Sequence, residues 1–457
     1  MIKRLFSSQL RTNMVSGVAT TAINVVVLVI AYPVYLHFLG YERYGVWLIL
    51  ATVLTFTQLS DLGISSAVIK LVAEEHGRGN TKGIQSYVTT SLGILLVTGS
   101  LALTLILLFQ NQIISAFKLS GQNAVITSQL LPYIAFLSVC VMLVQVLNAA
   151  ISGLGRMDLA NYIVSGGRVV TMGTSLILLW LGNDIESLLI GNTLSCIFIG
   201  GASIFCIRKM VDIRLLRLGN LNKKYYNRLL RFGGGVFGGS LISMLGRPFH
   251  RLMLARYGSL LLIPIYDITF NASFQIRNII ETGFRALTPE VSKVYIGNVA
   301  EAKSRIIRIN RLALKLIFMV ALPLYALLLY FSEPLMRIWL GSNFVQSIPT
   351  PFRIFLAATF VNMFIVPAYH ILLGIGRVRQ VFISRCITWF SNMIIIVVLI
   401  LCFHKLTPSK IASGLIFSWF LSACYLNWEL HRAISKITEN NKVQVDSLAN
   451  TITKEQI

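Results

Sequence analysis

Ile151-Ser152-Gly153-Leu154-Gly155-Arg156 closes one long apolar run, and Leu372-Leu373-Gly374-Ile375-Gly376-Arg377 closes another. Gly153 and Gly374 stand 221 positions apart (374 − 153). The same offset carries Leu71, in the short connection after one apolar run, onto Ser292. Gly79-Asn80 is echoed by Gly297-Asn298 at nearly that shift. A helix that ends twice on Gly-x-Gly-Arg at matching distances predicts an internal duplication, in which two halves of one design are joined end to end.

The composition says what solvent the halves meet. Of 457 residues 55% are hydrophobic and 12% charged, against about 25% charged in an ordinary soluble domain. Mean hydropathy is +0.73. Apolar stretches of some twenty residues, the length that crosses the hydrocarbon core of a bilayer, recur from end to end. This excludes a water-soluble fold and predicts a polytopic helical membrane protein. Cutting the runs at charges, prolines and glycine clusters gives twelve spans, near 13–38, 44–72, 85–109, 126–152, 158–182, 185–207, 232–255, 261–288, 310–332, 348–374, 380–403 and 409–430. The second, seventh and eighth are polar enough that hydropathy alone would pass over them. Six spans is an even number, so both halves keep one orientation, as in parallel repeats about an axis along the membrane normal. The expected fold is all-α, two six-helix lobes around a central cavity. The first lobe is 1–207, a basic linker 208–231 follows, the second lobe is 232–433, and 434–457 is a polar tail with no assigned role.

The formal charge of +23 would by itself suggest nucleic acid. Topology supplies a plainer source. With the amino terminus inside, inner segments carry 25 Lys and Arg and outer loops six, namely Arg43, Lys118, Arg256, Arg337, Lys405 and Lys410. The positive-inside rule then places both termini in the cytoplasm and leaves no role for nucleic acid. Met1 to Thr12 is basic and is followed by a full-length span, which reads as an anchor rather than a cleaved leader.

Polar stripes locate the cavity. Asp267, Asn271, Asn278, Glu281 and Arg285 fall on one face of the eighth span, with Arg277 beside them. The second span carries Thr55, Gln58, Asp61 and Ser65, the seventh Ser240, Ser243, Arg247 and Arg251, and the first Asn13, Ser16, Thr20 and Asn24. An ionised group facing hydrocarbon costs at least about 2.5–3.5 kcal/mol, so water or protein must lie opposite these faces. The four spans open the two halves and are expected to line one shared aqueous cavity. Arg168 and Arg385 are also intraspan, so six arginines face three carboxylates. Guanidinium groups bind phosphate oxygens in pairs and stay charged at any relevant pH, which points to a phosphate or pyrophosphate ligand. Arg247, before Pro248 and with no carboxylate within a turn, is the first choice for an anion contact. Arg251, Arg277, Arg285, Asn271, Asn278, Gln58 and Asn24 complete the expected binding set. The competing reading is intrahelical neutralisation, since Arg277 to Glu281 and Glu281 to Arg285 are both four apart.

Other signals carry less. Gly233, Gly235 and Gly238 spell GxGxxG, but they enter a span with no strand before them, so close helix packing explains them. The six cysteines (Cys140, Cys196, Cys206, Cys386, Cys402, Cys424) lie in or at the ends of apolar runs without CxxC spacing and read as small buried hydrophobes. The six histidines show no metal-ligand spacing. No metal and no cofactor is expected.

Phe38-Leu39-Gly40-Tyr41-Glu42-Arg43-Tyr44-Gly45-Val46-Trp47, Leu59-Ser60-Asp61-Leu62-Gly63-Ile64-Ser65-Ser66, Ala73 with Gly79-Asn80, and Gly153-Leu154-Gly155-Arg156 resemble the Wzx-type O-antigen flippases. These are the polysaccharide transporters of the multidrug/oligosaccharidyl-lipid/polysaccharide exporter superfamily. With the span count, the resemblance runs over almost the whole chain. It implies a two-lobed bundle that rocks between inward-open and outward-open forms in a bacterial inner membrane. The implied cargo is an undecaprenyl-pyrophosphate-linked oligosaccharide, an O-antigen or related surface glycan unit, moved to the periplasmic leaflet with its polyprenyl tail left in lipid. A glycan polymerase and chain-length machinery are implied partners. The resemblance also implies coupling to H⁺ or Na⁺, for which Asp61, Asp267 and Glu281 are the intraspan carboxylates. Twelve spans rather than fourteen favour the O-antigen branch over the lipid II branch.

Two alternatives stand beside this. A multidrug exporter of the same superfamily should show an acidic or aromatic cavity. A polytopic glycan polymerase or glycosyltransferase should show an acidic catalytic constellation or a large extramembrane loop, and no outer loop here exceeds roughly twenty residues. The chain is therefore expected not to be an enzyme.

Overall fold

A computed structural model describes residues 8–211, 223–284, 287–296 and 299–455. The described residues are helical almost throughout and contain no strand. This suits a chain in lipid, where each backbone N–H and C=O must be satisfied within its own segment. Arg285, Gly297-Asn298 and most of the 208–231 linker lie outside the described residues, as do the side chains of Ser240 and Ser243. By contacts the chain divides into two compact units, Met1–Pro264 with Trp339–Asn343, and Ile265–Ile338 with Phe344–Ile457.

The first unit opens with α1, Ser8–Gln58, which bends at Gly40 (φ 67°, ψ 177°) into two helical arms. The residues expected to connect the first two spans are thus a kink, at the residue type that adopts positive φ without strain. A 3₁₀ turn, Leu59–Asp61, and two left-handed residues, Leu62 (φ 49°) and Gly63 (φ 74°), then break the second expected span. Next come α2 (Ile64–Gly77), α3 (Thr81–Leu108), α4 (Gln110–Ala116), α5 (Gly121–Gly153), α6 (Met157–Trp180), α7 (Glu186–Met210) and α8 (Lys223–Tyr257). Asn80 caps α3 by accepting from the Gly83 N–H at 3.1 Å, which fills one of the orphan donors of a helix start. Val68, Tyr87, Leu95, Val146 and Leu229 form the centre of the core. In lipid this packing gains from close contact and not from leaving water.

The second unit holds α9 (Leu262–Phe284, whose first turn belongs to the first unit), α10 (Leu287–Ile296), α11 (Val299–Leu316), α12 (Leu322–Tyr330), α13 (Ser332–Leu340), α14 (Pro349–Met363), α15 (Ile365–Gly374), α16 (Val378–Phe403) and α17 (Pro408–Glu455). Between α11 and α12 the helix widens into a π turn, Ile317–Ala321. Pro323 follows it and has no N–H to offer the Met319 carbonyl, a cause of such local rewinding. Phe364 divides the tenth expected span into α14 and α15.

The expected duplication is visible inside each unit. Gly155 and Gly376 both take positive φ, 84° and 82°. The Arg156 N–H donates to Ile151 O and the Arg377 N–H to Leu372 O, at 3.3 and 2.8 Å. A Cβ on Gly153 would lie 2.8 Å from Ile69 O and 2.9 Å from Val72 Cβ; a Cβ on Gly374 would lie 2.9 Å from both Thr288 O and Val291 Cβ. Each Gly-x-Gly-Arg thus ends a helix seated against a short helix of its own unit, α2 for the first and α10 for the second.

Nine helices among the described residues are long and apolar enough to cross a membrane, against twelve expected spans. The second span is merged into α1, the eighth, α9, is a helix too polar to qualify, and the seventh, α8, runs through side chains outside the described residues. They are the three whose polarity the sequence singled out. Within the first unit α8 packs on α1, α2 and α3, and the division between units falls after Pro264.

Candidate functional site

The first unit contains a polar seam between α1 and α6. The Asp158 N–H donates to Asn13 Oδ1 at 3.0 Å, Asn161 Nδ2 to Ser16 Oγ at 3.0 Å and Ser165 Oγ to Thr20 Oγ1 at 3.0 Å. The three pairs share one register, each spanning 145 positions. A constant sum would mark antiparallel helices; a constant difference makes α1 and α6 parallel. With 100° per residue, the direction of every other side chain about this seam follows. Ile23, Val26 and Ile30 of α1, with Val169, Met172 and Leu176 of α6, turn to one side and line a wholly apolar groove of about 470 Å³, a surface made for acyl chains. Asn24 and Arg168 turn to the opposite side, nearly level with one another.

Both carry unused hydrogen-bonding capacity. Asn24 Oδ1 is buried without a hydrogen-bond partner, and among the described residues no hydrogen bond or ion pair reaches the exposed Arg168 side chain. An unpaired guanidinium in the middle of a span is costly unless it faces water or a ligand. Arg168 is one of the six intraspan arginines but lies outside the expected binding set, although Asp158, Asn161, Ser165 and Arg168 follow helical spacing along α6. The signal that finds it is register against α1, which needs the partner helix.

Asp61 stands at the 3₁₀ break and accepts from Ser65 Oγ at 3.0 Å and Ser65 N at 3.2 Å, so its carboxylate caps the start of α2. Gln58 is half-buried just before that break. Arg251 is buried and donates from Nη1 to Leu48 O at 3.1 Å and to Thr52 Oγ1 at 3.2 Å. It ties α8 to the second arm of α1, a use the polar stripe did not foresee. Arg247 is half-buried on α8, four residues earlier. The basic start of α8 is anchored too, since Arg228 bonds Tyr87 Oη at 3.0 Å and pairs with Glu74.

The second unit gathers Arg277, Asn278 and Glu281. Arg277 Nη1 lies 2.6 Å from Glu281 Oε2, its Nε donates to Asn362 Oδ1, and its guanidinium stacks 5.0 Å from the Phe274 ring centroid. The intrahelical pairing that competed with an anion contact is therefore realised, and Arg277 is held by protein. His370 Nε2 approaches the other Glu281 oxygen at 3.8 Å. Asp267 is buried and accepts from Asn271 Nδ2 at 3.0 Å. Arg385 donates to Tyr369 Oη at 2.9 Å. Among the described residues no group of three or more His, Cys, Asp or Glu is placed to hold a metal ion.

Residues 10–294 match the model of a family described as polysaccharide biosynthesis protein. A Shigella flexneri protein named "Putative O-antigen transporter" is 21% identical over 351 residues, which cover 76% of this chain and 81% of that protein. Among solved structures, an inward-facing multidrug resistance MATE family transporter of the MOP superfamily superposes with a TM-score of 0.72 at 14% identity, covering 95% of this chain and 96% of that one. The lipid II flippase MurJ in an inward closed conformation gives a TM-score of 0.67 at 16% identity, covering 96% and 92%. The fold is thus that of the MATE and MurJ transporters, in a multi-pass membrane protein.

Proposed function

The chain belongs to the polysaccharide biosynthesis protein family, and from that premise we propose that it is a flippase, not an enzyme, and carries a lipid-linked glycan across the inner membrane. The cargo class is an undecaprenyl-pyrophosphate-linked oligosaccharide, an O-antigen or related unit, moved from the cytoplasmic to the periplasmic leaflet by alternating access of two six-span lobes with both termini inside. The names of the Shigella protein and of MurJ support a lipid-linked cargo.

The observation that carries the reading is Arg168 with Asn24, on the side of the α1/α6 pair turned away from the apolar groove. A pyrophosphate needs cationic donors, and sugar hydroxyls need acceptors such as Asn24 Oδ1. Unaided, the headgroup would bury two phosphates and many hydroxyls in hydrocarbon without partners, a cost of several kcal/mol for each group. Arg168, Arg247 and Arg285 substitute for water along the way, with Asn271, Asn278 and Gln58 as further polar contacts. Arg251 and Arg277 shape the path through the protein groups they bind. Asp61, Asp267 and Glu281 are the carboxylates available for coupling to H⁺ or Na⁺.

The test is leaflet exchange of a pyrophosphoryl-polyprenyl oligosaccharide in reconstituted vesicles. Wild type should exchange the lipid without forming a glycosidic product, and Arg168→Ala and Arg247→Ala should each lower the rate at least tenfold at unchanged insertion. Product formation, or full exchange by both variants, overturns the proposal.

A further inference from the structure

A cleft of about 450 Å³ opens on the second unit between α11 and α17, apart from every residue assigned above. Lys303, Ile307 and Asn310 line it from α11, and Asn427, His431 and Ile434 from α17. Both sets follow the spacing i, i+4, i+7, so each is one continuous helix face. Its volume lies in the range of sites that seat small ligands.

The chemistry of the lining is divided. Ile307 and Ile434 are apolar. Lys303 is half-buried and His431 exposed. Asn427 is satisfied, donating from Nδ2 to Phe364 O at 3.2 Å and Ala423 O at 2.8 Å. Asn310 is not: its Oδ1 is buried without a hydrogen-bond partner. An occupant that suits this lining places an anionic group near Lys303, a hydrogen-bond donor on Asn310 Oδ1 and hydrocarbon on the two isoleucines.

Position narrows the choice. Lys303 begins a basic stretch with Arg305, Arg308 and Arg311 that precedes the apolar part of its span, and His431 with Arg432 follows the apolar part of α17. Both ends belong to the side that the distribution of positive charge assigns to the cytoplasm, at the level of lipid headgroups. Basic pockets between spans at that level suit anionic headgroups.

We propose that this cleft binds an anionic glycerophospholipid of the inner leaflet. The phosphodiester sits against Lys303 and His431, a headgroup hydroxyl donates to Asn310 Oδ1, and the first methylenes of the acyl chains lie on Ile307 and Ile434. Phosphatidylglycerol has this combination; phosphatidylcholine lacks both the net charge and the donor. The site is independent of the cargo, so it stands or falls separately from the flippase reading.

The experiment is native mass spectrometry of the full chain in detergent, titrated with phosphatidylglycerol, phosphatidylcholine of the same chains, or inorganic phosphate, with thermal shift as a second readout. Phosphatidylglycerol should bind and raise the unfolding temperature, while the other two do neither. Lys303→Gln should weaken that binding about fivefold, the effect of one cation near a lipid surface. Asn310→Leu should reduce the preference over phosphatidylcholine while leaving unliganded stability equal or higher. Arg308→Gln, outside the cleft lining, should bind as wild type does. Equal binding of the two lipids to wild type overturns the proposal, as does full phosphatidylglycerol affinity in Lys303→Gln. A shift produced by inorganic phosphate alone would replace the lipid with a soluble anion and overturn it too. The wild-type comparison of lipids decides the matter even if a variant fails to fold.

Discussion

A Cβ placed on Gly63 would stand 2.3 Å from the carbonyl oxygen of Gly233. The break between α1 and α2 therefore meets the start of α8 backbone to backbone, with Lys70 lying over the Phe232 ring at 4.3 Å beside it. The close helix packing expected of Gly233 has Gly63 as its partner.

Gly63→Ala should lower stability through this approach and through φ of 74°, the latter alone costing about 1–2 kcal/mol in a residue with a Cβ. The check is the unfolding midpoint of detergent-purified protein at a fixed scan rate. A variant that melts with wild type would mean the backbones are farther apart.

Gly153→Ala and Gly374→Ala should destabilise to similar degrees, because each Cβ would meet a carbonyl and a valine at nearly the same distances. Unequal midpoints, with one variant indistinguishable from wild type, would contradict structural equivalence of the two halves.

Arg168 and Arg277 should respond in opposite ways. Arg277→Gln removes the partner of a mostly buried Glu281 and should cost up to about 3–5 kcal/mol, the range for an ion left unpaired inside protein. Adding Glu281→Gln should recover part of the loss. Arg168→Gln breaks no hydrogen bond or ion pair among the described residues and should leave the midpoint equal or higher while transport falls. Stability and vesicle exchange measured on the same preparations test both.

The arginines of the repeated motif should diverge. Arg156 forms a two-pronged pair with Asp158, Nε to Oδ1 at 3.0 Å and Nη2 to Oδ2 at 3.1 Å, at the start of its own next helix. Arg377 reaches Glu429 on α17, at 3.7 Å. Arg377→Ala should therefore raise amide exchange around Glu429, whereas Arg156→Ala should do so only near Asp158. Identical exchange maps for the two variants would refute the distinction.

How much of this was legible follows from what each feature depends on. Membrane insertion and duplication were readable because they rest on composition and on a motif ending a helix twice. The three polar spans were found as segments because their charged residues recur at helical spacing. At Gly40 the sequence placed a connection and the structure a kink; the break at Leu62-Gly63 was not legible, since it lies inside weakly polar sequence where hydropathy has no edge. Arg251 and Arg277 share a face with other polar groups, but a face does not reveal its neighbour: Leu48 O is a backbone atom some 200 positions away, and Asn362 lies on α14. Arg168 closes a polar stripe with Asp158, Asn161 and Ser165 at i, i+3, i+7 and i+10, and only the parallel register with α1 tells which way it turns.

The π turn at Ile317–Ala321 accommodates one residue more than an α-helix would in the same length, which offsets everything beyond it by about 100°. Tyr325, 2% exposed, owes its inward aim to that offset. Deleting a single residue from the turn would restore regular winding and swing the tyrosine toward the acyl chains. Deletion tolerance along this span should therefore show a sharp minimum where a bulge holds the phase of the helix, and a helical wheel drawn straight through it will put the wrong residues in oil.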